Sequence, residues 1–479
     1  MIYIVLIVYL ILTFGVSLIG VKSKNATPES YFLANRELNT LVLFFTILAT
    51  NFSAFYFLGF AGEAYRIGYA FYVIMALGTA LAGAMFFIVG PRIWLLGKEK
   101  AYMTPSELVY GETEDRALSS IFSLVMIVFT LPYLALQIIG GGYLLESLTQ
   151  GEISYGLAVM LLTVFTIVYV IIGGMQSVAK TDLKQGLLLI VFMIMAVLII
   201  AGELGGIKAA NEASFLVKPE LFSINGVDDV YTAQKWFSYL VFWMFCVPMF
   251  PQLFIRFYAA KNISVLKKSA LYYALIPLII SLLPVMIGIW GHLSFPDLVG
   301  KEADQILPKM LLEHSNELFS ALVMTGAIAA FMSTLDSQLL ALSTMITRDF
   351  YMPFINKDIS IKKEVFLGRC MVFLLAVIGL VIAWNPFDTI FDMGKMAFSG
   401  LAVLFPISAF ILFNKYHHPG FSLLAIVLSV AGVFGFYYKL IPVSICFGFE
   451  PFIILILLST LISGLGVLIK MSANKKGGS

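Results

Sequence analysis

Thirteen runs of about 20 predominantly apolar residues, each long enough to cross a bilayer as a helix, leave this chain few folds to choose from. They lie near residues 2–21, 40–62, 69–90, 117–146, 154–172, 183–203, 235–255, 268–292, 317–347, 366–384, 389–414, 420–438 and 450–470. In hydrocarbon every backbone N–H and C=O has to be paired within its own segment, so runs of this length fold as helices. The fold class that follows is an all-α polytopic membrane protein with about 13 transmembrane helices. The composition of the 479 residues, 60% hydrophobic and 12% charged, agrees, and no stretch is left for a second, soluble domain.

The loops orient the bundle. With the N-terminus outside, 22 of the 30 Lys and Arg fall in cytoplasmic segments, so the positive-inside rule expects a multi-pass protein of the cell (cytoplasmic) membrane with its C-terminus inside. Residues 1–21 have neither a basic n-region nor a small-residue cleavage site and read as a retained first span. A formal net charge of +2 with scattered basic residues gives no footprint for nucleic acid. Cys246, Cys370 and Cys446 are too few and too far apart for a disulfide framework or a thiolate metal site. There is no Walker loop, HExxH or nucleophile elbow, so the expected activity is not that of an enzyme.

Polar atoms inside the apolar runs need a reason. In AFMSTLDS (330–337), Ala330, Ser333, Thr334 and Ser337 recur at i, i+3, i+4 and i+7 and share one helical stripe, bordered by Asp336. A single hydroxyl there would bond back to the preceding turn. Three hydroxyls beside a carboxylate, which costs about 2.5–3.5 kcal/mol at membrane depth, are better explained as hard oxygen ligands for a small cation. Two other spans are interrupted: ATNFSAFYFLGFAG by Asn51, Ser53 and Gly59, and CVPMFPQLFIR by Pro248 and Pro251. Broken helices at matching places in two halves point to an inverted-repeat transporter, because freed carbonyls and half-helix ends bind ions and solute at the midplane. The repeats would cover 39–203 and 234–414, with a leading helix and loop (1–38) and trailing helices (415–479).

After the fifth span, IIGGMQSVAKTDLKQG has a glycine turn followed by Thr181 and Asp182. Gly173, Gly174, Thr181, Asp182 and Gln185, together with AFMSTLDSQLL, the later Asp349 and Tyr351, PQLFIRFYAAK and ATNFSAFYFLG, give the chain a resemblance to the sodium/solute symporter family. That family includes sodium symporters for proline, pantothenate, monocarboxylates, sialic acid and sugars. The resemblance spans nearly the whole chain and implies a LeuT-like fold of two inverted five-helix repeats with Na+ as the coupling ion. It also implies a sodium site made by carbonyls and hydroxyls at Ala49, Phe52, Ala330, Ser333 and Thr334. Some relatives hold a second sodium, which here would involve Asp182, Ser333, Asp336 and Ser337. The chain departs from the family in carrying Lys180, Lys184 and Asp336, and either lysine could pair with Asp182 and remove it from such a site.

The solute is then expected at the midplane, among Asn51, Ser53, Phe55 and Tyr56 on one broken helix and Trp243, Phe245, Cys246 and Phe250 on the other. Tyr133 and Gln137 share a face of the fourth span and are candidates for the same wall. The aromatic character and the scarcity of amide and carboxylate partners disfavour sugars, whereas a small carboxylate could use freed amides and the positive end of a half-helix. LPYLALQ and NFSAFYFLG resemble the monocarboxylate branch. The leading expectation is a sodium symporter importing a monocarboxylate or similar small organic acid as a monomer in the lipid bilayer. Proline-like, pantothenate and transporter-like sensor roles are the alternatives. His292, His314, His417 and His418 are expected at the surface, Glu63 and Arg66 in ordinary solvation, and Gly140, Gly141 and Gly142 at helix contacts.

Overall fold

The computed structural model describes residues 2–19 and 27–477, with the side chains at 13–14, 16–19, 28, 31, 173–177, 179–181 and 475–477 left undescribed. Among the described residues the chain is a helical bundle without strands, its one β-bridge joining Leu38 to Ala260. The principal helices are α1 (Ile2–Ile19), α2 (Thr40–Asn51), α3 (Phe60–Ile67), α4 (Tyr69–Glu99), α5 (Arg116–Leu148), α6 (Tyr155–Glu203), α7 (Ala233–Cys246), α8 (Pro251–Ala259), α9 (Ile263–Ile280), α10 (Leu282–Trp290), α11 (Glu317–Met345), α12 (Ile361–Trp384), α13 (Ile390–Ala402), α14 (Phe405–Phe413), α15 (Pro419–Tyr437) and α16 (Pro451–Gly477). Ten described helical segments are long and apolar enough to cross a membrane, and two bent pairs raise the number to 12; α1 is a shorter apolar helix beside them. The expected fifth and sixth spans both lie in α6, which is helical throughout, so no glycine turn separates them at Gly173 and Gly174.

Both expected breaks are present. The pair α2 and α3 bends by 61°, and the pair α7 and α8 by 58°. Helix α2 ends because Phe52 takes φ −79° and ψ 81°, and the chain re-forms through a π-helical turn, Phe55–Gly59. Proline makes the second break: Pro251 has no N–H to donate and disfavours the helical region for the residue before it, so Phe250 sits at ψ 121°. Helix α11 runs through the centre of the bundle, buried on nearly every side, and packs on α6, α5, α12, α2 and α8. A stripe of hydroxyls on such a helix cannot reach bulk water, so its partners have to come from neighbouring helices.

Glycines set the closest approaches. A Cβ on Gly140 would stand 2.5 Å from that of Ala54, which places α5 directly against the first break and supports the helix-contact reading.

Candidate functional site

On α2 and α11, Thr334 Oγ1 donates to the carbonyls of Ala49 (3.2 Å) and Ala330 (3.3 Å). Two carbonyls and a hydroxyl thus converge where α2 is about to break, and Phe52, one turn on, leaves the helix with its backbone turned out of register. These neutral, buried oxygens suit a small hard cation. Ser333 is turned differently: its hydroxyl donates to Asp182 Oδ1. Asp182 therefore borders the expected first sodium site.

Asp182 is fully buried, and its partner differs from expectation. Arg256 of α8 places Nη2 3.2 Å from Asp182 Oδ2, and both side chains are wholly inaccessible. Lys184 is exposed, while the side chain of Lys180 lies outside the described residues. An exposed ammonium keeps its hydration, whereas Arg256, already buried by the packing of α8 on α11 and α2, needs a counter-charge. The guanidinium also donates to Thr46 Oγ1 (2.9 Å), Thr50 Oγ1 (3.2 Å) and Ser337 Oγ (2.6 Å), and Thr46 in turn donates to Asp182. Asp336 lies on the other flank of the stripe, buried, with Tyr169 OH 3.0 Å from its Oδ2 and Ser337 Oγ 3.4 Å from its Oδ1. The four residues expected around a second sodium, Asp182, Ser333, Asp336 and Ser337, are thus gathered, with the cation of Arg256 among them.

Thr46, Thr50 and Tyr169 join this network without having been singled out by the sequence pattern, and Arg256 had been marked only as part of the PQLFIRFYAAK motif, without a role at this site. A signal for two of them exists: Thr46 and Thr50 are four apart, one above the other on α2.

Between the broken helices lies a second, mainly aromatic site. Asn51, Phe55, Tyr56, Tyr133, Trp243 and Phe250 all line it, as expected, and Phe60, Met75, Thr79, Val247 and Phe398 complete the wall. The rings interlock: Phe398 lies 4.7 Å from Tyr133, 4.8 Å from Phe250 and 5.1 Å from Phe55 between centroids. The space left is ≈ 20 Å³, room for about one water, so the site is closed around itself. The indole N–H of Trp243 is buried without a hydrogen-bond partner among the described residues. Asn51 donates to Tyr273, and Tyr56 shares a hydrogen bond with Ser281 (2.7 Å).

Four expected wall residues do not line the cavity. Phe245 is half-buried and stacks on Phe405 with centroids 4.4 Å apart, turned to α14. Ser53 and Cys246 are buried behind the surface. Gln137 instead satisfies backbone groups, since its Oε1 accepts the Ala54 N–H (2.9 Å) and its Nε2 donates to Tyr133 O (2.9 Å). An amide freed by the break would cost about 1–3 kcal/mol if left buried and unpaired, and Gln137 supplies the missing acceptor.

The two ends of the bundle are tied by charge. At one, Arg348 pairs with Glu107 and Glu364, both at 2.6 Å, and Asp349 accepts from Thr104 and Ser123, both at 2.6 Å. At the other, Glu63 and Arg66 are not simply solvated: Glu63 is buried and Arg66 bridges it to Asp304. His292 is buried as well, stacked on Tyr65 with centroids 3.9 Å apart, and is no surface residue.

Comparison with known proteins bears on the same geometry. A family model described as "Sodium:solute symporter family" matches residues 31–418. The sodium/pantothenate symporter of Escherichia coli is 26% identical over 466 residues, covering 95% of this chain and 94% of that protein. The sodium/proline symporter of Staphylococcus aureus is 26% identical over 426 residues, covering 86% and 81%. Among solved structures, a Na+-coupled sialic acid symporter in a substrate-bound outward-open state superposes with a TM-score of 0.81 at 18% identity, over 98% of this chain and 96% of that one.

Proposed function

This chain belongs to the sodium:solute symporter family, a family of transporters with sodium as the coupling ion, and on that premise we propose that it imports a small organic acid by alternating access. The observation that supports this most is the adjacency of two sites at one broken helix: the oxygens of Ala49, Ala330 and Thr334 on one side of the break, and the closed aromatic cavity on the other. An ion that organises the break also sets the wall the solute meets, which is the structural requirement for coupling. We assign the first sodium to Ala49, Phe52, Ala330, Ser333 and Thr334. A second, at Asp182, Asp336 and Ser337, requires a state in which Arg256 has withdrawn, since its Nη2 lies 2.6 Å from Ser337 Oγ. The two inverted repeats are taken as 39–203 and 234–414, the N-terminus as outside, and the monomer as the working unit.

The aromatic lining favours one further reading, a zwitterionic imino or amino acid, because its ammonium would gain from the ring faces of Trp243, Tyr56 and Phe398. Counterflow of monocarboxylates, proline and pantothenate in proteoliposomes separates the solutes. Absence of any sodium-dependent counterflow across a broad solute panel would favour a sensor instead. The reversal potential of uptake then gives one sodium or two.

A further inference from the structure

Asp304, in the loop ahead of α11, joins parts of both proposed repeats. It is 1% exposed. Its Oδ1 lies 3.2 Å from Arg66 Nη1 on α3, and its Oδ2 accepts the N–H of Ile390 (2.8 Å), the first residue of α13. Arg66 also donates to the Gly300 carbonyl (2.9 Å), so the short turn Gly300–Gln305 is pinned at both ends. The contact is close: a Cβ on Gly62 would stand 2.6 Å from Asp304 Oδ1, and one on Gly59 3.1 Å from Ile390 Cγ2. Directly beneath, Phe55 stacks on Phe391 with centroids 5.6 Å apart, and Phe55 and Phe60 form that side of the cavity wall. Asp304 thus ties α3 to the start of α13 over that wall, and a movement that parts Arg66 from Ile390 breaks both of its contacts.

We propose that Asp304 is a proton-sensitive latch on the outer mouth of the solute cavity: closing the mouth buries its carboxyl, so a proton there favours the closed form and its loss favours opening. "Outer" rests on the orientation proposed above. The sign follows from linkage, since a group that is dry when closed and hydrated when open is more readily neutral in the closed form. Burial pushes the Asp304 carboxyl up to about 6, against the opposing pull of Arg66 and the Ile390 amide. In the open form the ordinary value of about 3.9 applies. Other charged or titratable groups on the surrounding elements are Glu63 on α3, Asp392 and Lys395 on α13, Tyr143 on α5, Lys301 and Glu302 in the same turn, and Lys309, Glu313 and His314 on the helix that follows. Asp392 and Lys395 pair with each other at 3.0 Å, and Lys301 donates to the Pro386 carbonyl.

The test uses Met75→Cys on the cavity wall, in full-length protein with Cys246, Cys370 and Cys446 replaced by Ala, reconstituted in vesicles and labelled with a membrane-impermeant maleimide. The rate is divided at each pH by that of the same protein carrying Asp304→Asn, which removes the pH dependence of the thiol. Between pH 7.5 and 5.5 the ratio is expected to fall about fourfold, the fall in the open-to-closed ratio that values of about 6 and about 3.9 produce, which the labelling rate follows while the closed form predominates. Arg66→Gln, which leaves the carboxyl without its cation, is expected to move the response to higher pH. A flat or rising ratio with reagent on either side of the membrane, or a response unmoved by Arg66→Gln, overturns the latch. The expected fall seen only with reagent on the cytoplasmic side leaves the latch standing and overturns the orientation.

Discussion

Replacing Arg256 by Met removes the only described cation within salt-bridge distance of Asp182 while keeping most of the apolar stem. The carboxylate is left with the hydroxyls of Thr46 and Ser333, and the Ser337 and Thr50 hydroxyls lose a charged donor. Stranding one partner of a buried ion pair costs about 3–5 kcal/mol. Two hydroxyl donors stay on the carboxylate, so we place this case at the lower end, about 3 kcal/mol, or a fall of roughly 6 °C in Tm at about 2 °C per kcal/mol for a large domain. Asp182→Asn in the same chain removes the stranded charge and keeps an acceptor for the hydroxyls. The double variant should therefore recover at least half of the loss. The assay is thermal unfolding in detergent for wild type, both single variants and the double, closed as a double-mutant cycle. A loss below about 1 kcal/mol for Arg256→Met, or strict additivity in the double variant, would refute the claim that the two charges stabilise one another.

Thr334→Ala and Ser333→Ala should each raise the sodium concentration for half-maximal uptake, by about tenfold if a hydroxyl ligand contributes ~1.4 kcal/mol; unchanged sodium dependence in both moves the site elsewhere. Trp243→Ala and Tyr56→Ala should weaken solute binding more than sodium binding, and isothermal titration showing equal losses would count against the aromatic wall. Gly140→Ala puts a methyl 2.5 Å from the Ala54 Cβ and should cost about 1–3 kcal/mol, whereas Gly202→Ala, with nothing within 4 Å, should be neutral or stabilising in the same melts.

Much of this molecule is readable along the chain because its physics is local. An apolar run of membrane length has to be a helix, Pro251 takes a donor out of the helix ladder and biases the residue before it away from the helical region, and hydroxyls at i, i+3, i+4 and i+7 have to share a face. The clustering of the α2 and α11 oxygens that we propose for the first sodium, and six residues that line the cavity, were legible on those grounds and by family resemblance. What local periodicity leaves open is which face meets which neighbour. Phe245 and Phe250 are both aromatic and five apart, yet one stacks on α14 and the other lines the cavity, and between them α7 gives way to the 3-10 turn Val247–Met249. Gln137 reads as a solute contact from its spacing, and only the approach of α5 to the first break, allowed by Gly140, makes it the acceptor for a freed amide. Lys184 is two residues from Asp182 and Arg256 is 74 away, but the nearer charge is exposed and the distant one is buried beside it. Pairing in a low-dielectric interior follows distance in space and the cost of leaving a buried charge alone, and both are decided by how the helices pack.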